Sequence, residues 1–271
     1  MWRLIFFFGI LFSSCHSVKV PVVEDSVFAS AETFQLVPPK VLTDFVLFRK
    51  NTIVELAMDF PGTEIRYTLD GSPVNRNATL YNNKLTINKT GTLKALAFHP
   101  ECQTSEKLVQ PFYKIQTIFD RAKITLNPSA DSRYAGNGVS TLTDLKKGKV
   151  QFKGEQRWLG FQKDTVDIQI DFAEKTSLES IIVSALANEI AWIFLPGRIE
   201  LLEGETVFAF VNKETLKNPS VTGSHFITID FPKKELENLT IRVLSDPLPE
   251  GHNGFGYTAW FFVDEVFAVF E

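Results

Sequence analysis

Val166 to Phe172 alternates without a break: Val166, Ile168, Ile170 and Phe172 are apolar, and Asp167, Gln169 and Asp171 are polar. A period of two sends one set of side chains into a core and the other into water, which predicts a strand with one wet face. Residues 178–186, 198–202, 207–211, 225–231, 239–244 and 259–270 have similar length and character and predict further strands. Trp260-Phe261-Phe262-Val263 is apolar on both sides and predicts a strand at the centre of a sheet. Upstream, Ile65-Arg66-Tyr67-Thr68-Leu69 alternates into Asp70-Gly71-Ser72-Pro73, followed by Leu80-Tyr81, 85–87 and 93–98. Asp-Gly accepts positive φ and proline cannot continue a ladder, so residues 70–73 predict a turn. Nothing in these segments has helical length. The fold class is therefore all-β: a small immunoglobulin- or fibronectin-like sandwich over 41–114, a connection over 115–123, and a longer sandwich or jelly roll over 124–271.

The first residues follow a different pattern. Leu4 to Phe12 carries no charge and follows Arg3. Nine residues are too few to cross a bilayer as a helix but suit the apolar region of a signal peptide. Ser13-Ser14 and Cys15 come next. Leu11-Phe12-Ser13-Ser14-Cys15 resembles a bacterial lipobox, although Phe12 is bulkier than the residue usual at its place. The resemblance implies removal of residues 1–14, acylation of Cys15, a tether over 15–40, and lipid anchoring in the cell envelope on a periplasmic or surface face. The alternative is a plain signal peptide with an incidental cysteine. Cys102 is the one other cysteine, so no disulfide framework is expected, and a Cys15–Cys102 bridge is the alternative to a free thiol.

The net charge of −4 and the lack of any long Lys/Arg run argue against nucleic acid as a partner. The chain holds 25 phenylalanines against 5 tyrosines, consistent with strands.

Residues 65–73, Leu80-Tyr81 and Thr92 to Phe98, in that order and spacing, resemble the chitobiase/β-hexosaminidase C-terminal-type domain, also called fibronectin type III-associated. That resemblance implies an accessory domain with no chemistry of its own. Thr141-Leu142-Thr143-Asp144, Trp158-Leu159-Gly160-Phe161, 192–196 and 262–266 resemble discoidin-like domains related to coagulation-factor type C modules. The version that ends bacterial family 20 β-N-acetylhexosaminidases is the most similar pattern. The tandem resembles the tail of such enzymes without their catalytic barrel of about 250 residues.

The discoidin-like resemblance implies a structural calcium ion, with Asp144 and Glu265 as metal ligands. The family has glycine where this chain has Leu145, and Lys147 and Lys149 bring positive charge beside the site. Asp264-Glu265 imitates the acidic pair of family 20 enzymes. Neighbours on a regular strand face opposite ways, so the pair is expected not to converge on a glycosidic bond and to be structural. His16, His99, His225 and His252 are scattered without metal spacing, and the glycines around His252 precede a strand rather than a helix. No catalytic residue is assigned.

A sugar site needs an exposed ring beside polar groups. The loop 249–257 offers His252, Asn253, Phe255 and Tyr257, and Arg133 and Tyr134 open the longer domain. Trp158 and Trp192 are expected in the core. These features lead to a non-catalytic, glycan-associated lipoprotein that binds carbohydrate or presents a partner enzyme to it. One alternative is a protein–protein module completing a separate exported glycoside hydrolase. The other is a hydrolase with an unfamiliar site.

Overall fold

A computed structural model describes residues 34–269 apart from 44, 116–118, 120 and 217–218. The expected signal peptide, Cys15, His16 and most of the 15–40 tether lie outside the described residues. The end of that tether already belongs to the fold. Leu36 is buried, its N–H donates to the Gln103 carbonyl, and Gln103 N–H donates back to Phe34.

Two sheets follow. The first joins β1 (Lys40–Leu42), β3 (Thr52–Ala57) and β6 (Leu85–Ile87) in the order β1-β3-β6. The second runs β2-β8-β7-β4-β5, from β2 (Leu47–Phe48), β4 (Glu64–Thr68), β5 (Thr79–Leu80), β7 (Gly91–Phe98) and β8 (Leu108–Lys114). Val54, Leu56, Leu85 and Ile87 of one sheet meet Ile65, Leu93, Ala95 and Phe112 of the other in one core, so the pair is a sandwich. The turn after β4 forms as its residues dictate: Gly71 takes φ +75° and Asp70 Oδ1 accepts from Ser72 N–H.

The longer unit is built on two bent strands, β12 (Thr165–Ala187) and β15 (Gly223–Leu244), paired antiparallel along most of their length. Register shifts between Asp171 and Thr176 and between Leu178 and Ser180 mark the bend. On one side of it, β12 and β15 continue into a layer with β9 (Lys123–Asn127), β13 (Arg198–Glu203) and β14 (Thr206–Asn212). On the other side, β12 joins β16 (Phe261–Phe267), which pairs in turn with β11 (Leu159–Phe161); the short β10 (Gly136–Val139) falls between β9 and β11 in the chain. Val166, Ile168 and Ile170 from the first layer and Val183, Ala185 and Val263 from the second fill one core. The chain is thus an all-β arrangement of two sandwiches.

Segments 166–172 and 178–186, which the pattern separates, are one strand. The bend at residues 173–177 lies at the sandwich rim with exposed or half-buried side chains, so no alternation is imposed there. The connection before β9 is shorter than its sequence suggests. Phe119 is already in the larger core, and Lys123 pairs with Asp171.

Every side chain of β16 is buried, in line with a central strand. Two covers account for the second face. One is the segment 141–158, with Phe152 and Trp158 packed against Phe262. The other is the N-terminal sandwich, where Leu47 and Ile115 share a cluster with Ile182 and Phe267, and Tyr113 lies 4.9 Å from the Phe226 ring and 5.2 Å from the Phe267 ring.

Gly160 shows why the Trp-Leu-Gly-Phe segment has a glycine. A Cβ there would sit 2.7 Å from both the Phe262 ring and Tyr134 Cβ. Overpacking of this kind costs about 1–3 kcal/mol. Gly160→Ala is expected to lower unfolding stability by that amount in a urea titration without changing the transition's slope. An unchanged midpoint would show that the close approach is dispensable.

Candidate functional site

At one end of the larger sandwich, two loops meet around a seam of two tryptophans. The 3-10 turn Ser132–Tyr134 is capped by Asp131, whose carboxylate accepts from Arg133 N–H at 2.9 Å. The Arg133 guanidinium returns to the same carboxylate at 2.9 and 3.1 Å. This charge-assisted pair holds the Asp131 carboxyl down at about 2. Arg133 also lies 5.0 Å over the Trp260 ring, a cation–π arrangement. Tyr134 packs edge-on to Trp260 and against Phe262 at 4.7 Å, so its ring belongs to the packing beneath the loop. Between this turn and residues 152–156 lies an open cavity of about 260 Å³, with Ser132, Arg133, Glu155 and Gln156 among its walls.

The loop 249–257 is a run of tight turns. His252 N–H donates to Pro249, Phe255 N–H to His252, and Tyr257 N–H to Gly254. Gly254 is required by contact: a Cβ there would lie 2.8 Å from the Trp192 ring. His252 is turned inward, edge-on to Trp192 and Phe194, and its Nδ1 accepts from Gly254 N–H at 3.1 Å. It therefore shapes the loop. Tyr257 stacks on Trp192 at 6.5 Å with 28° between the planes and is 68% exposed; Phe255 is 65% exposed. Asn253 is exposed on the same loop. Trp260 N–H donates to the Trp192 carbonyl at 2.8 Å, and its ring reaches Arg133 and Tyr134. The two groups of candidate residues thus flank one Trp192–Trp260 seam.

Trp158 is fully buried, with Nε1 donating to the Lys149 carbonyl at 2.9 Å. Trp192 is half-buried and serves as the base on which Tyr257 rests. Ile190, 93% exposed beside Trp192, is part of this surface and had no signal in the sequence beyond its place in a polar turn.

The expected metal ligands lie elsewhere: Asp144 on the loop 140–149, where its Oδ1 accepts from Lys146 N–H at 2.9 Å, and Glu265 on β16, next to Asp264. Asp264 and Glu265 are fully buried. They do not face opposite ways as a regular strand requires. Ser184 pairs with Glu265 and Ala185 with Val263, so the register slips and Asp264 forms a bulge. Val263 and Val266 both enter the main core, which leaves the two acids between them on the other face. Asp264 accepts from Lys147 Nζ at 2.6 and 2.7 Å and from Gly148 N–H at 2.7 Å. Burial pushes its carboxyl upward, and the ammonium pulls it back. Neither oxygen of Glu265 has a hydrogen-bond partner. Burial first, then the charges of Asp264 and Asp144, push its carboxyl up to about 9.

A calcium ion does not suit this arrangement. It wants six to eight oxygens. Here an ammonium already sits on Asp264, and among the described residues no three acidic, histidine or cysteine side chains are grouped to hold a metal. Leu145 nonetheless keeps the left-handed backbone that glycine would supply, at φ +60°, and its side chain packs in the cluster with Phe226 and Phe267. Such a conformation costs a non-glycine residue about 1–3 kcal/mol, offset here by that contact.

Glu265 makes stability depend on pH in a definite direction. Its carboxyl rises from 4.5 to about 9 on folding, so the folded chain holds a proton that the unfolded chain releases. The side chain's contribution is full below pH 4.5 and is lost as pH climbs through about 9. Glu265→Gln keeps a neutral group and removes the dependence. The variant is expected to gain on the wild type by roughly 1 kcal/mol per pH unit between these limits, read from urea titrations at several pH values. Parallel profiles would show that Glu265 is not protonated in the fold.

Comparison with known proteins adds the following. Residues 47–110 match the chitobiase/beta-hexosaminidase C-terminal domain family, which bears out the resemblance of the N-terminal sandwich over those residues. A search of the curated proteins finds no match. Among solved structures, a Ruminococcus gnavus GH29 fucosidase in complex with fucose is similar at 9% identity and TM-score 0.35, over 55% of this chain and 25% of that one. The CBM32-1 and CBM32-2 domains of Clostridium perfringens ZmpB in complex with GalNAc are similar at 13% identity and TM-score 0.37, over 58% and 36%. A SusE-like protein is similar at 10% identity and TM-score 0.36, over 84% and 95%. The chain therefore spans about a quarter of the fucosidase and about a third of the ZmpB pair.

Proposed function

We propose that the chain is a non-catalytic, glycan-associated protein that holds carbohydrate at the loop end of its larger sandwich. The observation that carries this reading is the exposed pair Phe255 and Tyr257, the latter stacked on a half-buried tryptophan, near an open polar cavity beside Arg133. Exposed rings can stack on sugar C–H faces, and Gln156, Glu155 and Ser132 supply partners for hydroxyl groups. Arg133 is committed to Asp131 and Trp260, so it acts as a fixed wall. His252 and Tyr134 support the surface from beneath.

The match of residues 47–110 to an accessory domain of chitobiase-type enzymes supports a glycan setting. The tandem with a discoidin-like domain, in the order found behind the barrel of family 20 enzymes, is part of the same proposal. So are acylation at Cys15 and display from the cell envelope, which rest on residues 11–15.

A second reading, a module that docks on a separate exported glycoside hydrolase, is favoured by one feature of the N-terminal sandwich. Leu42, Phe45 and Ile53 are each about half exposed on or beside its first sheet. Clustered apolar exposure marks contact surfaces.

A glycan array followed by calorimetry separates the two. The Tyr257→Ala variant is expected to fold as the wild type does and to bind the best array ligand about 3- to 10-fold more weakly, the worth of one aromatic contact. Equal affinity would remove this surface from consideration. Co-purification of a hydrolase by a chain that binds no glycan would favour the second reading.

A further inference from the structure

The buried carboxyl groups of Asp264 and Glu265 lie where the loop 140–149 meets β16, and the cation against Asp264 comes from the chain itself. We propose that the Lys147 ammonium is the resident cation of this cluster, standing where a divalent metal would otherwise be needed to hold the loop on the last strand. This goes beyond the glycan-binding proposal and does not depend on it.

The geometry accounts for each proton of the ammonium. A lysine has three donors. Two point at Asp264 Oδ1 and Oδ2, at 2.7 and 2.6 Å, and the third is at the Ser184 hydroxyl. Ser184 is the cross-strand partner of Glu265, so the ammonium ties the loop to both β16 and β12. The Phe226 ring lies 4.9 Å from Nζ and the Trp158 ring 5.5 Å, so aromatic faces close the remaining sides. The backbone is held as well. Gly148 N–H donates to Asp264, and a Cβ at Gly148 would strike the Trp158 indole at 2.2 Å. Arg157 donates to the Lys147 carbonyl at 3.3 Å.

With Asp264 ionised against Lys147 the pair is neutral. A divalent ion would have to sit beside a partly buried ammonium, where like charges repel more strongly than in water. The same ammonium reaches Phe226, which packs on Tyr113 of the N-terminal sandwich. The loop, the last strand and the contact between the sandwiches therefore share one fixed charge.

Thermal unfolding of the full chain in excess chelator and in millimolar calcium tests this. The wild type is expected to melt at the same temperature in both, and a calcium-dependent rise would overturn the proposal. Lys147→Gly leaves buried carboxylates without their cation. It is expected to melt roughly 10 °C lower in chelator and to recover part of the loss in calcium. A variant as stable as the wild type in chelator, or one that calcium leaves unchanged, would also overturn it. Should the variant not fold, calorimetric titration of the wild type with calcium, magnesium and manganese decides: no heat supports the ammonium as resident cation, and saturable binding contradicts it.

Discussion

The pairing of β12 with β15 runs through both layers of the larger sandwich, and the position of nearly every other element follows from where that ribbon bends. Before the bend its apolar residues alternate with Asp167, Gln169 and Asp171, because one face meets water. Beyond it, residues 181–187 are buried on both sides, because β12 now lies between the main core and a second cover. One strand thus obeys two burial regimes. The register shifts between Asp171 and Ser180 let it do so while β12 stays paired with β15 on both sides of the bend.

That arrangement explains what was legible in the sequence and what was not. Alternation at 166–172 and the apolar run at 260–263 gave strands with the right faces, since each meets one uniform environment. The link from 173 to 177 lies at the rim, where burial imposes no period, so the continuity of the strand is written only in its pairing. The short strands β1 and β2 are two or three residues long and leave no periodic trace. The opposite-face rule for Asp264 and Glu265 failed for a related reason. A bulge depends on a mismatch with the partner strand, and one strand's sequence does not show it.

The candidate surface was legible in outline. The aromatic loop 249–257 stood out by composition, and two of its residues are exposed as a sugar platform requires. Their support was less visible. The stacking of Tyr257 on Trp192, the inward turn of His252 and the bridging of Arg133 by Trp260 all join residues far apart in the chain. The acidic cluster shows the same limit. Asp144 and Glu265 suggested a metal by resemblance, whereas Lys147, the residue that changes the conclusion, matters only because a bulge turns Asp264 toward it.

The same sandwich presents the loop surface around residues 249–257 and closes the loop 140–149 with its own charge. The measurement that bears most directly on it is backbone amide NMR of the chain during titration with a panel of oligosaccharides. The account predicts saturable shifts concentrated in residues 131–136, 152–156, 188–193 and 249–258, with the amides around Lys147 and Asp264 unmoved. Shifts centred on the N-terminal sandwich, or none with any sugar in the panel, would contradict it.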